Sequence, residues 1–147
     1  MNMSATAFNQ KSASGLDAIV EAGAIPQQLL SGFEFVEGPA WHPQTGELVF
    51  SDIIGDKMYR WTESDGLGVW REPSHMANGN AWDREGRLLT CEHATSRIRR
   101  SGPGRGCEVL VSHYQGRELN SPNDIVVKRD GSIYFTDPNS GRGERYG

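Results

Sequence analysis

One motif occurs three times in this chain, and it limits the possible folds more than any bulk property does. The copies run from Ala40 to Asp52, from Ala81 to Glu92 and from Ile125 to Asp137. Each reads as a short apolar strand, a polar turn containing a glycine, a second apolar strand and a carboxylate at its end. The turn glycines Gly46, Gly86 and Gly131 lie 40 and then 45 residues apart, the period of a four-stranded propeller blade. Propellers close with four to eight blades. Three copies ending shortly before Gly147 therefore read as half a molecule.

The residues around the motif fill out this plan. Residues 1–15 are polar and are expected to be a flexible tail. Leu16 to Leu30 is broken by Gly23 and Pro26 and suits a short helix running into an extended lead-in. Phe33 to Val36 reads as strand, with Glu37-Gly38-Pro39 as the turn that ends it. Two strands around Gly46, a third at Lys57–Trp61 and a fourth at Leu67–Arg71 complete a blade. A second blade spans Ala77 to Arg100 with its outer strand at Glu108–Val111. A third opens with Ile125–Val127 and Ser132–Thr136. No helical periodicity appears between residues 32 and 137. The fold class is all-β, with residues 16–147 forming about three blades of a β-propeller, open at the C-terminal end.

Bulk properties exclude several functions. The net charge of −4 provides no electrostatic footprint for nucleic acid. The one basic run (Arg97, Arg99, Arg100, Arg105) suits a solvated strand edge and hairpin. No apolar stretch approaches the roughly 18 residues of a membrane span, and the N-terminus lacks the apolar core of a secretory signal. The expected location is cytoplasmic, with Cys91 and Cys107 as reduced thiols, since neither C-x-x-C spacing nor a paired histidine pattern is present.

Loops feeding the innermost strands of a propeller meet at one mouth of its channel. Here those positions are Glu37-Gly38-Pro39, Asn78-Gly79-Asn80 and Asn120 to Asp124. One carboxylate and several amides converging there suit a hard divalent cation, Ca²⁺ first, with Mg²⁺, Mn²⁺ or Zn²⁺ as alternatives. Each residue also has a structural reading. Glu37 suits an exposed turn carboxylate, and Asn123 a turn cap. Asn78 and Asn80 suit a turn with positive φ. Asp52, Glu92 and Asp137 suit hydrogen bonds from blade to blade. Of the four histidines, His93 alone is expected near a site.

Several segments resemble the bacterial branch of the gluconolactonase and senescence-marker-protein (regucalcin-like) family. They are Phe35-Val36-Glu37-Gly38-Pro39-Ala40-Trp41, Leu48 to Ile53, Asn78-Gly79-Asn80, Thr90-Cys91-Glu92-His93 and Leu119 to Val127 with Gly131 to Pro138. The resemblance runs from about residue 16 to the end. It implies a six-bladed propeller with one divalent cation on its axis, hydrolysing sugar lactones. By position, Glu37 resembles the family's first metal ligand. Asn123 resembles the channel asparagine that contacts the metal, its water and the substrate. Two further ligands, an asparagine and an aspartate that is also the candidate general base, belong to later blades that match no part of this sequence. Ser121 and Pro122 stand where animal members carry a substrate-holding arginine, so substrate contacts should differ.

The resemblance thus implies the N-terminal half of a metal-dependent lactonase, inactive alone, with a small lactone as its partner. Two other readings compete with it. One is a non-enzymatic module that binds ligand or self-associates through its open blade faces. The other is a phosphotriesterase on the same fold, because a Lewis acid polarises a phosphoryl oxygen as it does a carbonyl.

Overall fold

The computed structural model describes residue 15, residues 18–102 and residues 106–141. The chain divides into two compact units, Met1–Ser31 and Gly32–Gly147. In the first, residue 18 is in 3₁₀ conformation, turns and bends follow to residue 23, and residues 24–30 carry no regular secondary structure. Residues 16 and 17, where the expected short helix begins, lie outside the described residues, and Ile19, Ile25 and Leu29 are exposed. Residues 1–14 of the expected tail lie outside the described residues.

The second unit carries twelve strands among its described residues. β1 (Val36–His42), β2 (Glu47–Asp52), β3 (Lys57–Thr62) and β4 (Gly66–Arg71) form a four-stranded antiparallel sheet in chain order. A second such sheet consists of β5 (Ala77–Trp82), β6 (Leu88–Glu92), β7 (Arg97–Ser101) and β8 (Cys107–Val111). β11 (Ile125–Val127) pairs with β12 (Ile133–Phe135) in the manner of β1 with β2. A small hairpin, β9 (His113–Tyr114) with β10 (Arg117–Glu118), lies in the connection between them and has no counterpart in the sequence reading. The architecture is all-β and of propeller type.

The three motif glycines explain the recurrent turns. Gly46, Gly86 and Gly131 adopt φ of 66°, 70° and 90°, the left-handed region where a side chain costs energy. The expected turn at Glu37-Gly38-Pro39 is instead part of β1. Strand pairing continues through it, with an irregularity between Glu37 and Ala40. The same irregularity falls between Ala77 and Asn80 in β5. These are β-bulges, one extra residue on the edge strand of each sheet. Pro39 is tolerated because it sits on an edge.

Packing between sheets accounts for the apolar runs. Ala40, Val49 and Met58 from the first sheet meet Ala77 and Leu88 from the second, with Trp82 against them. Leu89, Cys91 and Ile98 meet Ile125, flanked by Val127 and Phe135. Adjacent Leu88 and Leu89 therefore serve two different seams, and all of β6 is buried. A sheet covered on both faces needs continuous rather than alternating apolar residues.

Candidate functional site

The first strands of the three sheets stand side by side, β1 against β5 and β5 against β11. Strand register makes their residues equivalent. Val36 pairs with Asp52 as Ala77 pairs with Glu92, so Glu37 and Asn78 occupy the same bulge position. Counting back from the paired Ile125 and Phe135 gives Asn123 as the third equivalent residue.

Glycines bring these positions together. A Cβ on Gly38 would lie 2.1 Å from the Asn78 carbonyl oxygen, and one on Gly79 would lie 2.6 Å from that of Asn123. Gly79 N–H donates to the Asn123 carbonyl at 2.8 Å. No other residue permits such an approach. Glu37, Asn78 and Asn123 consequently follow one another across three strands. Their backbones are neighbours, and Glu37 and Asn78 lie within their strands rather than before them as the sequence suggested.

Asn80 and Asn78 have roles different from the expected turn. Neither has positive φ, and both are buried in β5. The Asn80 amide nitrogen lies 2.9 Å from the Gly38 carbonyl oxygen and 2.8 Å from Ser51 Oγ, while Thr90 Oγ1 donates to its Oδ1 at 2.9 Å. Ser51 Oγ donates to the Asn78 carbonyl at 2.8 Å. Together they fasten the first sheet to the second beside the bulges. The repeat itself was the available signal for Asn78, which aligns with Glu37 and Asn123.

His93 does lie at this place. It is buried, and Asn78 Nδ2 donates to its Nε2 at 3.1 Å. Burial holds its imidazole below the ordinary value, against an upward pull from a hydrogen bond with the Gly141 backbone. The other cysteine-type or histidine-type candidates add nothing here. Burial, together with the Asp124 and Asp137 charges, pushes the Cys91 thiol so far up that it is no nucleophile.

The strand-end carboxylates divide between two roles. Asp52 accepts from the Glu34 and Phe35 N–H groups at 3.0 and 2.9 Å, and Asp137 accepts from Asn120 N–H at 2.9 Å. Both tie the lead-in segment of their own sheet. Only Glu92 reaches between sheets, meeting Arg71 of β4 at 2.9 Å as well as Arg99 of β7 at 3.6 Å. Arg100 pairs with Glu108 across β7 and β8, so the basic run is an ion-paired strand, with Arg105 outside the described residues.

Glu37 is exposed and Asn123 partly exposed, and no hydrogen bond or ion pair holds either side chain among the described residues. The donors fit a hard cation in kind, being oxygens only. They are few, since no group of three or more His, Cys, Asp or Glu side chains is placed to hold a metal among the described residues. A groove of about 930 Å³ runs along the first strands from Pro39, Asn80 and Asp124 toward the β1–β2 and β5–β6 turns. Neither Glu37 nor Asn123 lines it, so the candidate residues and this groove do not coincide. No helix among the described residues is long and apolar enough to cross a membrane.

Comparison with known proteins places this arrangement. The family model for the SMP-30/Gluconolactonase/LRE-like region matches residues 35–147. A gluconolactonase of Zymomonas mobilis subsp. mobilis is 31% identical over 137 residues, 84% of this chain and 38% of that protein. A Xanthomonas campestris gluconolactonase structure superposes with a TM-score of 0.73 at 41% identity, covering 78% of this chain and 38% of its own. A second structure, described within a gluconolactonase family, gives 0.76 at 36% identity, with 82% and 42% covered. The chain thus spans about two fifths of the length of these relatives. With residues 35–147 matched by that family model and relatives at 31–41% identity, this chain belongs to the SMP-30/Gluconolactonase/LRE-like family.

Proposed function

We propose that this chain carries the first-blade part of a metal-dependent sugar-lactone hydrolase of six blades, about three of which fall within these residues. The observation that carries the reading is the row of equivalent residues Glu37, Asn78 and Asn123, brought together by Gly38 and Gly79. The family adds that relatives sharing this segment are gluconolactonases.

Glu37 would supply the anionic ligand to one divalent cation, Ca²⁺ in the first instance, and Asn123 a neutral oxygen ligand. Bound there, the cation supplies Lewis-acid polarisation of an ester carbonyl. Asn123, with one amide donor and one acceptor group, is suited to orient the lactone or the attacking water. Asp124 and Asn120 are turned to backbone contacts and to Asp137. With Glu37 committed to the cation, this reading assigns the general base to residues outside this chain, so that the chain alone is inactive.

The test is a chimera in which residues 32–141 replace the matching blades of the Xanthomonas campestris relative. Gluconolactone hydrolysis should persist in the chimera, vanish on chelation and fall at least about a hundredfold in Glu37→Gln. The 147-residue chain should show none. A folded chimera whose hydrolysis is indifferent to chelation and to Glu37→Gln would sink the proposal.

A second reading has its own support. Leu67 and Val69 on β4, and Val126 and Tyr134 on β11 and β12, are exposed apolar residues on strands. Such surfaces favour self-association.

A further inference from the structure

We propose that Asn78 is an additional oxygen ligand of the cation site held by Glu37 and Asn123, and that His93 is the positioning residue that aims its amide. The inference rests on the reading of that site given above.

Asn78 stands between the other two. Its carbonyl touches Gly38, next to Glu37, and its neighbour Gly79 donates to Asn123. Asn78 is only 5% exposed as a residue, but its Oδ1 is not a buried atom left without a partner and so stays open to a ligand. Nδ2 has a partner, His93 Nε2 at 3.1 Å. Oδ1 accepts nothing among the described residues. Asn80, two residues on, offers the contrast. Its Oδ1 is taken by Thr90 and its Nδ2 by Gly38 and Ser51, which leaves it nothing for a ligand.

His93 decides which end of the Asn78 amide is free. With Asn78 Nδ2 at 3.1 Å, Nε2 accepts when the ring proton is on Nδ1, and Nδ1 faces the Gly141 backbone. Flipping the amide would set Oδ1 against that lone pair, so the nitrogen stays on His93 and the oxygen stays outward. An amide oxygen is a hard donor that adds a ligand without adding charge, which suits a site whose single carboxylate is Glu37. The ring thus orients a ligand without touching the ion, as outer partners of metal ligands do.

Terbium luminescence of the full 147-residue chain, with Tb³⁺ as the probe, reads the site without any enzymatic assay. Asn78→Ala should weaken Tb³⁺ binding about tenfold or more, and His93→Leu by a similar factor. His93→Gln, whose Oε1 can accept from Asn78 Nδ2, should restore most of it. Asn78→Asp should bind Tb³⁺ more tightly than the parent chain, a gain no structural role predicts. Melting of the ion-free variants reports folding, and Asn78→Asp and His93→Gln carry the test if the harsher pair unfolds. Tb³⁺ binding lost in Glu37→Gln but unchanged in both Asn78 variants would overturn this inference alone. A parent chain that binds no Tb³⁺, or binds it as well without Glu37, would overturn the site together with it.

Discussion

Gly38 combines two constraints that usually occur apart. Its φ is 56°, and a Cβ there would lie 2.1 Å from a backbone oxygen that cannot move without its sheet. Gly46 has a similar φ of 66° but open space around it. Gly46→Ala should therefore cost only the left-handed strain, about 1–2 kcal/mol. Gly38→Ala should cost clearly more, because β1 and β5 must separate. Urea unfolding of the two variants checks this, and equal losses would mean that the close approach is absent in solution. Asp52 shows how a buried carboxylate is kept charged. Burial alone raises its pKa, but the Phe35, Glu34 and Gly55 N–H groups and the Lys57 charge outweigh that and hold it below the usual carboxylate value. A carboxyl depressed in the folded state stabilises above its unfolded pKa, and that contribution disappears as the pH falls through the folded value. Stability should then be flat above about pH 5 and decline from about pH 4 downward. Asp52→Asn should be weaker at pH 7 and show a shallower acid loss in the same titration.

At the level of strands, the unit that repeats in the first two sheets is a bulged first strand against a largely buried second strand. The bulge shifts the strand so that Glu37 or Asn78 falls at the junction of neighbouring sheets, while Ala40 or Ala81 returns to the core. The second strand ends on a carboxylate whose partner varies with what lies nearby. For Glu92 that partner is Arg71, and the pair crosses from one sheet to the other with Glu92 fully buried. Removing one member of a buried pair strands the other. Arg71→Ala should cost about 3 kcal/mol, the lower end of the usual range because Arg99 remains at 3.6 Å. The double change Arg71→Met with Glu92→Leu should recover most of the loss. Urea midpoints for the single and double variants decide it, and a single variant within error of the parent would show that the ion pair is not formed.

At the largest scale, neighbouring sheets of the second unit pack on one another, and each seam needs two partners. The second sheet has both, and its central strand is buried from end to end. β4, by contrast, displays Leu67 and Val69, and β11 and β12 display Val126 and Tyr134. In solution the chain should associate through these surfaces and scatter light as a species above 16.2 kDa, with added Ca²⁺ tightening it. A monomer indifferent to Ca²⁺ would count against both association and a shared cation site.

Strand positions, turn glycines and the family were legible in the chain itself, because they depend on local chemistry: apolar alternation, left-handed glycines and a spacing of 40 to 45 residues. The equivalent places of Glu37 and Asn123 in the repeat were legible through their motifs. The sequence misled at Glu37-Gly38-Pro39 and Asn78-Gly79-Asn80, where turn-forming residues sit inside strands. Gly and Pro signal a break in the chain, and a bulge on an edge strand satisfies the same local preferences as a turn. The role of Asn78 beside His93, the two-ended bonding of Asn80 and the split among Asp52, Glu92 and Asp137 were decided only by tertiary structure. Each depends on which backbone group of another sheet lies within hydrogen-bonding distance, and that distance is set by packing between segments 15 to 45 residues apart.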